Sequence, residues 1–323
     1  MSWAVISGSL LSVPVLAFLL GVVGARLNTD LRLPDAVYQA TSMYLLLAIG
    51  LKGGVALRSA DASQAIGPIG VALLLGVLIP LAAFAVLRVM TSLGPVDRGA
   101  MAAHYGSTSL VTFTAAIVFL EALDIPFEGY VVTLLAILEV PGILVGLLLA
   151  YRATSGGGSL GHSIREVITG KSIVLLTGGL AIGWLTGDDG YVRVAPFFDS
   201  LFTGVLALFL LEMGVLAGRR LGEIRTAGVG LIVFAIVFPI AAGAVSIFGG
   251  IIAGLSVGGA MILGVLGASA SYIAAPAAVR LALPTAQPGI TITASLGITF
   301  PFNLIVGIPL YWWMAQQLSG VLT

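Results

Sequence analysis

The chain has no cysteine and only two histidines in 323 residues, and charged residues make up 9 % of it. The missing thiols remove disulfides, thiolate catalysis and cysteine-ligated metals together. The two histidines, His104 and His162, stand far apart and give no support to a metal site. The formal net charge is zero, which leaves no electrostatic case for nucleic acid. A soluble domain carries about a quarter of its residues as charges. This chain instead is 59 % hydrophobic, with a mean hydropathy of +1.14, and is composed as a membrane protein. Met1 to Ser9 contains no Lys or Arg, so the cationic start of a secretory signal peptide is also lacking. The first apolar run therefore reads as a retained span.

Ten apolar runs are long enough to cross a hydrocarbon core of about 30 Å. They fall near 7–26, 36–58, 66–90, 98–122, 128–151, 171–187, 196–217, 226–250, 257–283 and 289–318. Turn signals separate them, among them Asp124-Ile125-Pro126 and Gly187-Asp188-Asp189-Gly190. The one long linker, 152–170, holds Ser155-Gly156-Gly157-Gly158-Ser159 and is flexible by composition. It separates a first five-span unit, 1–151, from a second, 171–323. A register near 160 relates the two: Gly129 to Gly289, Thr133 to Thr293 and Pro141 to Pro301. Five is odd, so the second unit enters the membrane inverted, as in the inverted repeats of secondary transporters. Eleven of the 14 Lys and Arg fall in the odd-to-even loops and the linker. The positive-inside rule makes those loops cytoplasmic and both termini external.

Two stretches break the apolar pattern. Tyr105-Gly106-Ser107-Thr108-Ser109-Leu110-Val111-Thr112 sits in span 4, and Gly267-Ala268-Ser269-Ala270-Ser271-Tyr272-Ile273-Ala274-Ala275-Pro276 in span 9. Glycine and backbone-competing hydroxyls are tolerated at membrane depth where the freed N–H and C=O groups are buried in protein or line a cavity. The sequence predicts two broken helices, restarting near Thr108 and Ser271, whose positive ends face each other and suit a small anion. The candidate substrate-binding residues are Gly106, Ser107, Thr108, Ser109, Ala268, Ser269, Ala270, Ser271 and Tyr272. Close packing of small residues is the plainer alternative.

Glu139, two residues before Pro141 in span 5, is an ionisable group at membrane depth and hence a functional candidate by default. With Thr112, Thr299 and Asn303 it forms an oxygen-rich set suited to a hard monovalent cation such as Na⁺. Lys52 and Glu212 are 160 apart, yet the topology puts them at opposite ends of their spans, as interfacial or gate-lining residues. His104 reads as packed or hydrogen-bonded and His162 as solvated.

Leu45-Leu46-Leu47-Ala48-Ile49-Gly50-Leu51-Lys52-Gly53-Gly54, the two serine stretches and Leu283-Pro284-Thr285-Ala286-Gln287-Pro288 together resemble the sodium-dependent bicarbonate transporter family. The resemblance covers nearly the whole chain. It implies an all-α membrane fold of ten spans in two inverted five-helix repeats, with core and gate domains, in the inner membrane. It further implies a homotrimer, Na⁺-coupled bicarbonate uptake without other cofactors, and a cytoplasmic regulator related to PII proteins. Gly106, Ser109 and Thr112 match the family's first binding stretch, Ser269 and Ser271 its second, and Glu139 an aspartate before the family's Ile-Pro. Tyr272 stands where the family has Asp, Ala275-Pro276-Ala277 where it has Gly-Pro-Pro, and the linker is shorter and richer in glycine.

Other readings make different demands. A bile-acid-type organic-anion Na⁺ symporter needs a wider apolar pocket, and an H⁺-coupled or uncoupled anion carrier needs Glu139 protonated. An intramembrane enzyme built on Glu139 and His104 lacks a nucleophile or metal cluster, and a channel would show no saturation. The topology has a direct test, since the native chain offers no thiol. Ser159→Cys and Asp189→Cys, introduced singly, are expected to label from opposite faces of the membrane; labelling of both from outside excludes the inverted arrangement.

Overall fold

A computed structural model describes residues 12–60, 62–153, 165, 168–222 and 228–322. Among these residues all regular structure is helical, as long apolar chain in a bilayer requires when no water is there to pair its peptide groups. In chain order the helices are α1 (Val13–Arg26), α2 (Asp35–Ser59), α3 (Ala62–Met90), α4 (Pro95–Gly106), α5 (Leu110–Glu121) and α6 (Val131–Ala153). There follow α7 (Lys171–Val192), α8 (Ala195–Phe198), α9 (Phe202–Arg220), α10 (Val229–Ile252), α11 (Val257–Gly267) and α12 (Ala274–Ala282). The last helix opens as α13 (Pro288–Ile292), passes through the α-helical turn α14 (Phe300–Phe302) and closes as α15 (Ile308–Leu322). Between these lie two π-helical stretches, Thr293–Thr299 and Asn303–Gly307. Ser159, His162 and most of the linker lie outside the described residues.

Seven helical segments are long and apolar enough to cross a membrane, and Val13–Arg26 and Val257–Gly267 are shorter apolar helices. The protein is thus an all-α, multi-pass membrane protein. Leu73, Leu74, Val77, Leu78 and Leu81 are exposed along one face of α3 at helical spacing, a stripe suited to lipid.

Two bundles make up the body. One packs α1 against α9 and α2 against α7. These contacts are close enough that a methyl group on Gly214 would meet the Phe18 carbonyl, and one on Gly54 the Leu180 carbonyl. Small residues at both crossings let the backbones approach, the usual device where lipid removes any hydrophobic drive for helix association. The other bundle assembles α3, α4, α6, α10, α11 and the last helix, with Tyr105 edge-on to Phe234 at 4.9 Å between ring centres.

Two carboxylates tie the ends of the second bundle. Asp97 Oδ1 accepts from Gln287 N (2.8 Å), at the start of the last helix. Glu128 accepts from Ser256 N (2.6 Å) and Ser256 Oγ (3.0 Å), at the start of α11. Each acid sits where a helix N-terminus leaves donors unpaired.

The turn expected at 187–190 is a break inside α7. Gly187 has φ +60°, the helix resumes to Val192, and Arg58 donates to the freed carbonyls of Trp184 (3.3 Å) and Leu185 (2.9 Å). Lys52 and Glu212 do not meet. Lys52 pairs with Asp199 and lies over the Phe202 ring, while Glu212 accepts from Leu33 N (2.7 Å) with Arg32 Nε at 3.9 Å.

Two of the three glycines of α9 separate packing from propensity. Gly204 has no atom within 4 Å of an added Cβ, whereas Gly214 abuts Phe18. Gly204→Ala is expected to stabilise by about 0.5–1 kcal/mol through helix propensity, and Gly214→Ala to destabilise by about 1–3 kcal/mol through overpacking. Thermal unfolding in detergent checks both, and equal shifts would refute the close crossing.

Candidate functional site

The site is built where α4 and α11 end within the protein. After Gly106 the chain is extended, with Ser107 at φ −105°, ψ 161°, until Ser109 caps α5 by accepting from Thr112 N at 3.2 Å. The restart at Leu110 is two residues later than the sequence suggested, because Ser109 caps more effectively from outside the helix than within it. In the second stretch the non-helical segment runs from Ala268 to Ile273, and α12 starts at Ala274. There Ser271 Oγ accepts from Ala275 N at 3.2 Å.

The broken segments satisfy one another. Ser271 N donates to the His104 carbonyl (2.8 Å), and His104 Nδ1 donates back to the Ser271 carbonyl (2.6 Å). Ser109 N donates to Ser269 Oγ (2.9 Å), which in turn donates to the Leu266 carbonyl (2.8 Å). His104 is therefore a hydrogen-bonded scaffold residue, as its position before the serine cluster suggested.

Following the protons separates structural hydroxyls from available ones. Ser109 Oγ accepts from Thr112 N and Thr112 Oγ1 (3.0 Å) and gives its own proton to Tyr272 OH (3.2 Å). Ser269 is likewise committed. Tyr272 OH accepts from Ser109 and keeps its proton, and Ser271 Oγ accepts from Ala275 N and keeps its own. Of the hydroxyls of Ser109, Ser269, Ser271 and Tyr272, the last two have a donor left over. Thr108 Oγ1 is 3.4 Å from the Leu135 carbonyl, and Ser107 Oγ is buried without a partner.

Glu139 faces the same place. A small cavity of about 20 Å³ is lined by Thr108, Ser109, Glu139, Ser271, Tyr272 and Ser172. Glu139 is 6 % exposed and makes no hydrogen bond or ion pair among the described residues. A carboxylate so placed is costly unless a cation or a proton joins it. One water needs roughly 10–15 Å³ of such space, so the cavity takes one small guest. It shares Leu46, Ser172, Ile273 and Ala274 with a vestibule of about 520 Å³, which Tyr38, Gln39, Ser42 and Lys171 also line.

The remaining candidates serve the frame. Gly106 packs on Pro80 and Gly142. The Ala268 carbonyl accepts from Asn303 Nδ2 (2.8 Å), Asn303 Oδ1 accepts from Tyr311 OH (2.9 Å), and Ala270 is buried. Thr299 Oγ1 donates to the Ala235 carbonyl and accepts from Tyr105 OH, both at 2.6 Å. Of the four oxygen-bearing residues proposed for a cation, Glu139 lines the cavity and Thr112 borders it through Ser109. Thr299 and Asn303 are directed at α10 and Ala268. Sequence reasoning missed Lys171, Ser172, Gln39 and Ser42, which carry no motif and meet only when α2 and α7 pack.

A family model described as the Na⁺-dependent bicarbonate transporter superfamily matches residues 14–316. Comparison with curated proteins gives no match. No group of His, Cys, Asp or Glu suited to a metal ion occurs among the described residues. Two broken helices holding free hydroxyl donors beside an unpaired buried carboxylate accord with a carrier of ions, and with a match spanning almost its full length the chain belongs to the Na⁺-dependent bicarbonate transporter superfamily, as a Na⁺-coupled anion transporter and not an enzyme.

Proposed function

We propose that the protein carries bicarbonate inward with Na⁺, the cation held at Glu139 and the anion at the hydroxyls of Ser271 and Tyr272. The observation that carries this reading is the unpartnered carboxylate of Glu139 in one cavity with those two donors. An anion entering beside a lone carboxylate is repelled, and a cation held at Glu139 cancels that charge. Each ion therefore favours the other by a coupling free energy. Tyr272, where the resemblance puts an Asp, offers a neutral donor in place of a second negative charge. The cavity of about 20 Å³ supports a small ion over an organic anion at the crossing, although the vestibule of about 520 Å³ is wide enough to admit larger solutes.

The same reading includes ten spans in two inverted five-helix repeats, 1–151 and 171–323, with the linker 152–170 cytoplasmic and both termini outside. Its support is the register near 160, the charge bias of the loops, and the two carboxylate ties, where Asp97 and Glu128 fall within one residue of the repeat mates of Ser256 and Gln287. A homotrimer and a PII-related cytoplasmic partner, implied by the resemblance, complete it. The mouth with Lys171 is then the cytoplasmic opening, through which the imported ions leave.

Uptake of radiolabelled bicarbonate into proteoliposomes, with and without a Na⁺ gradient, tests the assignment, and flux indifferent to Na⁺ overturns it. Glu139→Gln is expected to abolish Na⁺ stimulation in folded, inserted protein. If Glu139 instead carries a proton, wild-type flux follows an imposed pH gradient. Ser271→Ala and Tyr272→Phe each remove one donor to a charged guest, a loss of about 1.5–3 kcal/mol, so apparent bicarbonate affinity is expected to fall at least about tenfold. Ser269→Ala, by contrast, unpairs Ser109 N and is expected to lower the unfolding temperature; normal stability with weakened affinity would reverse these roles.

A further inference from the structure

Helix α12 divides two cavities. Its residues Ala274, Ala277 and Ala278 face the vestibule. Pro276, Val279, Arg280 and Leu283 face a separate cavity of about 40 Å³, closed from the other sides by His104 on α4 and Thr291 on α13. Both sets recur at three and four residues, so they are two faces of one helix.

His104 carries an unspent group there. Its Nδ1 donates to the Ser271 carbonyl, so a neutral ring has a bare lone pair on Nε2. Nε2 is buried and has no partner, and the residue is 0 % exposed. At the mouth, exposed Arg280 makes no hydrogen bond or ion pair among the described residues. The hydroxyl of Thr291 gives its proton to the Pro288 carbonyl (3.1 Å), which leaves its oxygen as an acceptor. The cavity therefore presents a cation at one end and proton acceptors at the other. A guest that matches both ends is a small oxyanion retaining one acidic O–H. The O–H donates to His104 Nε2 and the charged oxygens face the Arg280 guanidinium. About 40 Å³, against roughly 10–15 Å³ for one water, accommodates a guest of a few heavy atoms such as planar bicarbonate.

We propose that this cavity is a second anion site, distinct from the transport cavity, which binds bicarbonate from the Arg280 side and slows transport when filled. Transmission is short. The ring that meets the guest holds the Ser271 carbonyl, and the His104 carbonyl holds Ser271 N, so a guest on Nε2 bears on the residue that offers a hydroxyl to the transported anion. Only the identity of the guest rests on the bicarbonate reading above.

The test uses proteoliposomes oriented with the Arg280 face toward the lumen, loaded with bicarbonate, inorganic phosphate or chloride, and measures initial Na⁺-driven uptake of labelled bicarbonate. Luminal bicarbonate is expected to slow wild-type uptake at least about threefold relative to chloride, which has no O–H to donate. The slowing is expected to vanish in Arg280→Gln, whose uptake over chloride stays at the wild-type rate. His104→Asn keeps a donor for the Ser271 carbonyl but is too short to place an acceptor at the Nε2 position, so its ratio of rates over bicarbonate and chloride is expected to return to one. Slowing by phosphate alone would support the site and make phosphate its occupant. Equal wild-type rates over all three anions, or a slowing that survives in both variants, would overturn the proposal. Absence of Na⁺-driven uptake over chloride would instead count against the transport reading. In that case equilibrium binding to purified protein decides: one more bicarbonate per wild-type chain than per Arg280→Gln chain supports the second site, and equal numbers refute it.

Discussion

A peptide group inside a bilayer has no water to turn to, and the fold of this protein follows from meeting that demand at two places where helices stop. Within 107–109 and 268–273 the helical ladder is interrupted, and groups such as Ser109 N and Ser271 N have no partner along their own helices. They pair across the gap through the reciprocal bonds of His104 with Ser271 and through Ser109 N with Ser269 Oγ. That exchange brings α5 and α12 to one point and fixes which hydroxyls are consumed. Left over at the cavity, once the backbone has been satisfied, are the protons of Ser271 and Tyr272 and the carboxylate of Glu139.

The bundle of α1, α2, α7 and α9 meets the same demand differently. Apart from the break at Gly187, its helices run through with few polar residues and obtain contact from small side chains at the crossings. Of its charges inside helices, Lys52 of α2 meets Asp199, and the buried Glu212 in the middle of α9 holds the chain that leads from α1 into α2. It contributes to the site chiefly by enclosure: Leu46 of α2 and Ser172 of α7 line both the small cavity and the vestibule.

Much of this was legible in the sequence because the physics is local. An apolar run must become a helix in lipid, so the described helices follow the runs closely, and a run containing Gly106-Ser107-Thr108-Ser109 must break. Glu139 stood out because a carboxyl in such a run is costly. The direction of each hydroxyl proton was not legible, since Ser109 and Ser271 look alike in sequence and differ only in what approaches them across the crossing. Nor was the break at Gly187 readable as part of a helix, because its compensation comes from Arg58, 129 positions away, through the carbonyls of Trp184 and Leu185. Thr299 and Asn303 were grouped with Glu139 on chemistry alone. Packing turns them toward α10 and Ala268 instead.

The wide turns of the last helix have a consequence for alignment. Thr291, Ser295, Thr299, Asn303, Gly307 and Tyr311 recur every fourth residue, and all are buried. In an ideal α-helix each step of four overshoots a full turn by about 40°, so five steps would wind the series through roughly 200° and carry its far end to the opposite side. The π-helical stretches at Thr293–Thr299 and Asn303–Gly307 unwind that drift. With that drift reduced, hydroxyl, amide and phenol stay buried along the length of the helix, where an evenly wound helix of the same sequence would turn part of the series outward.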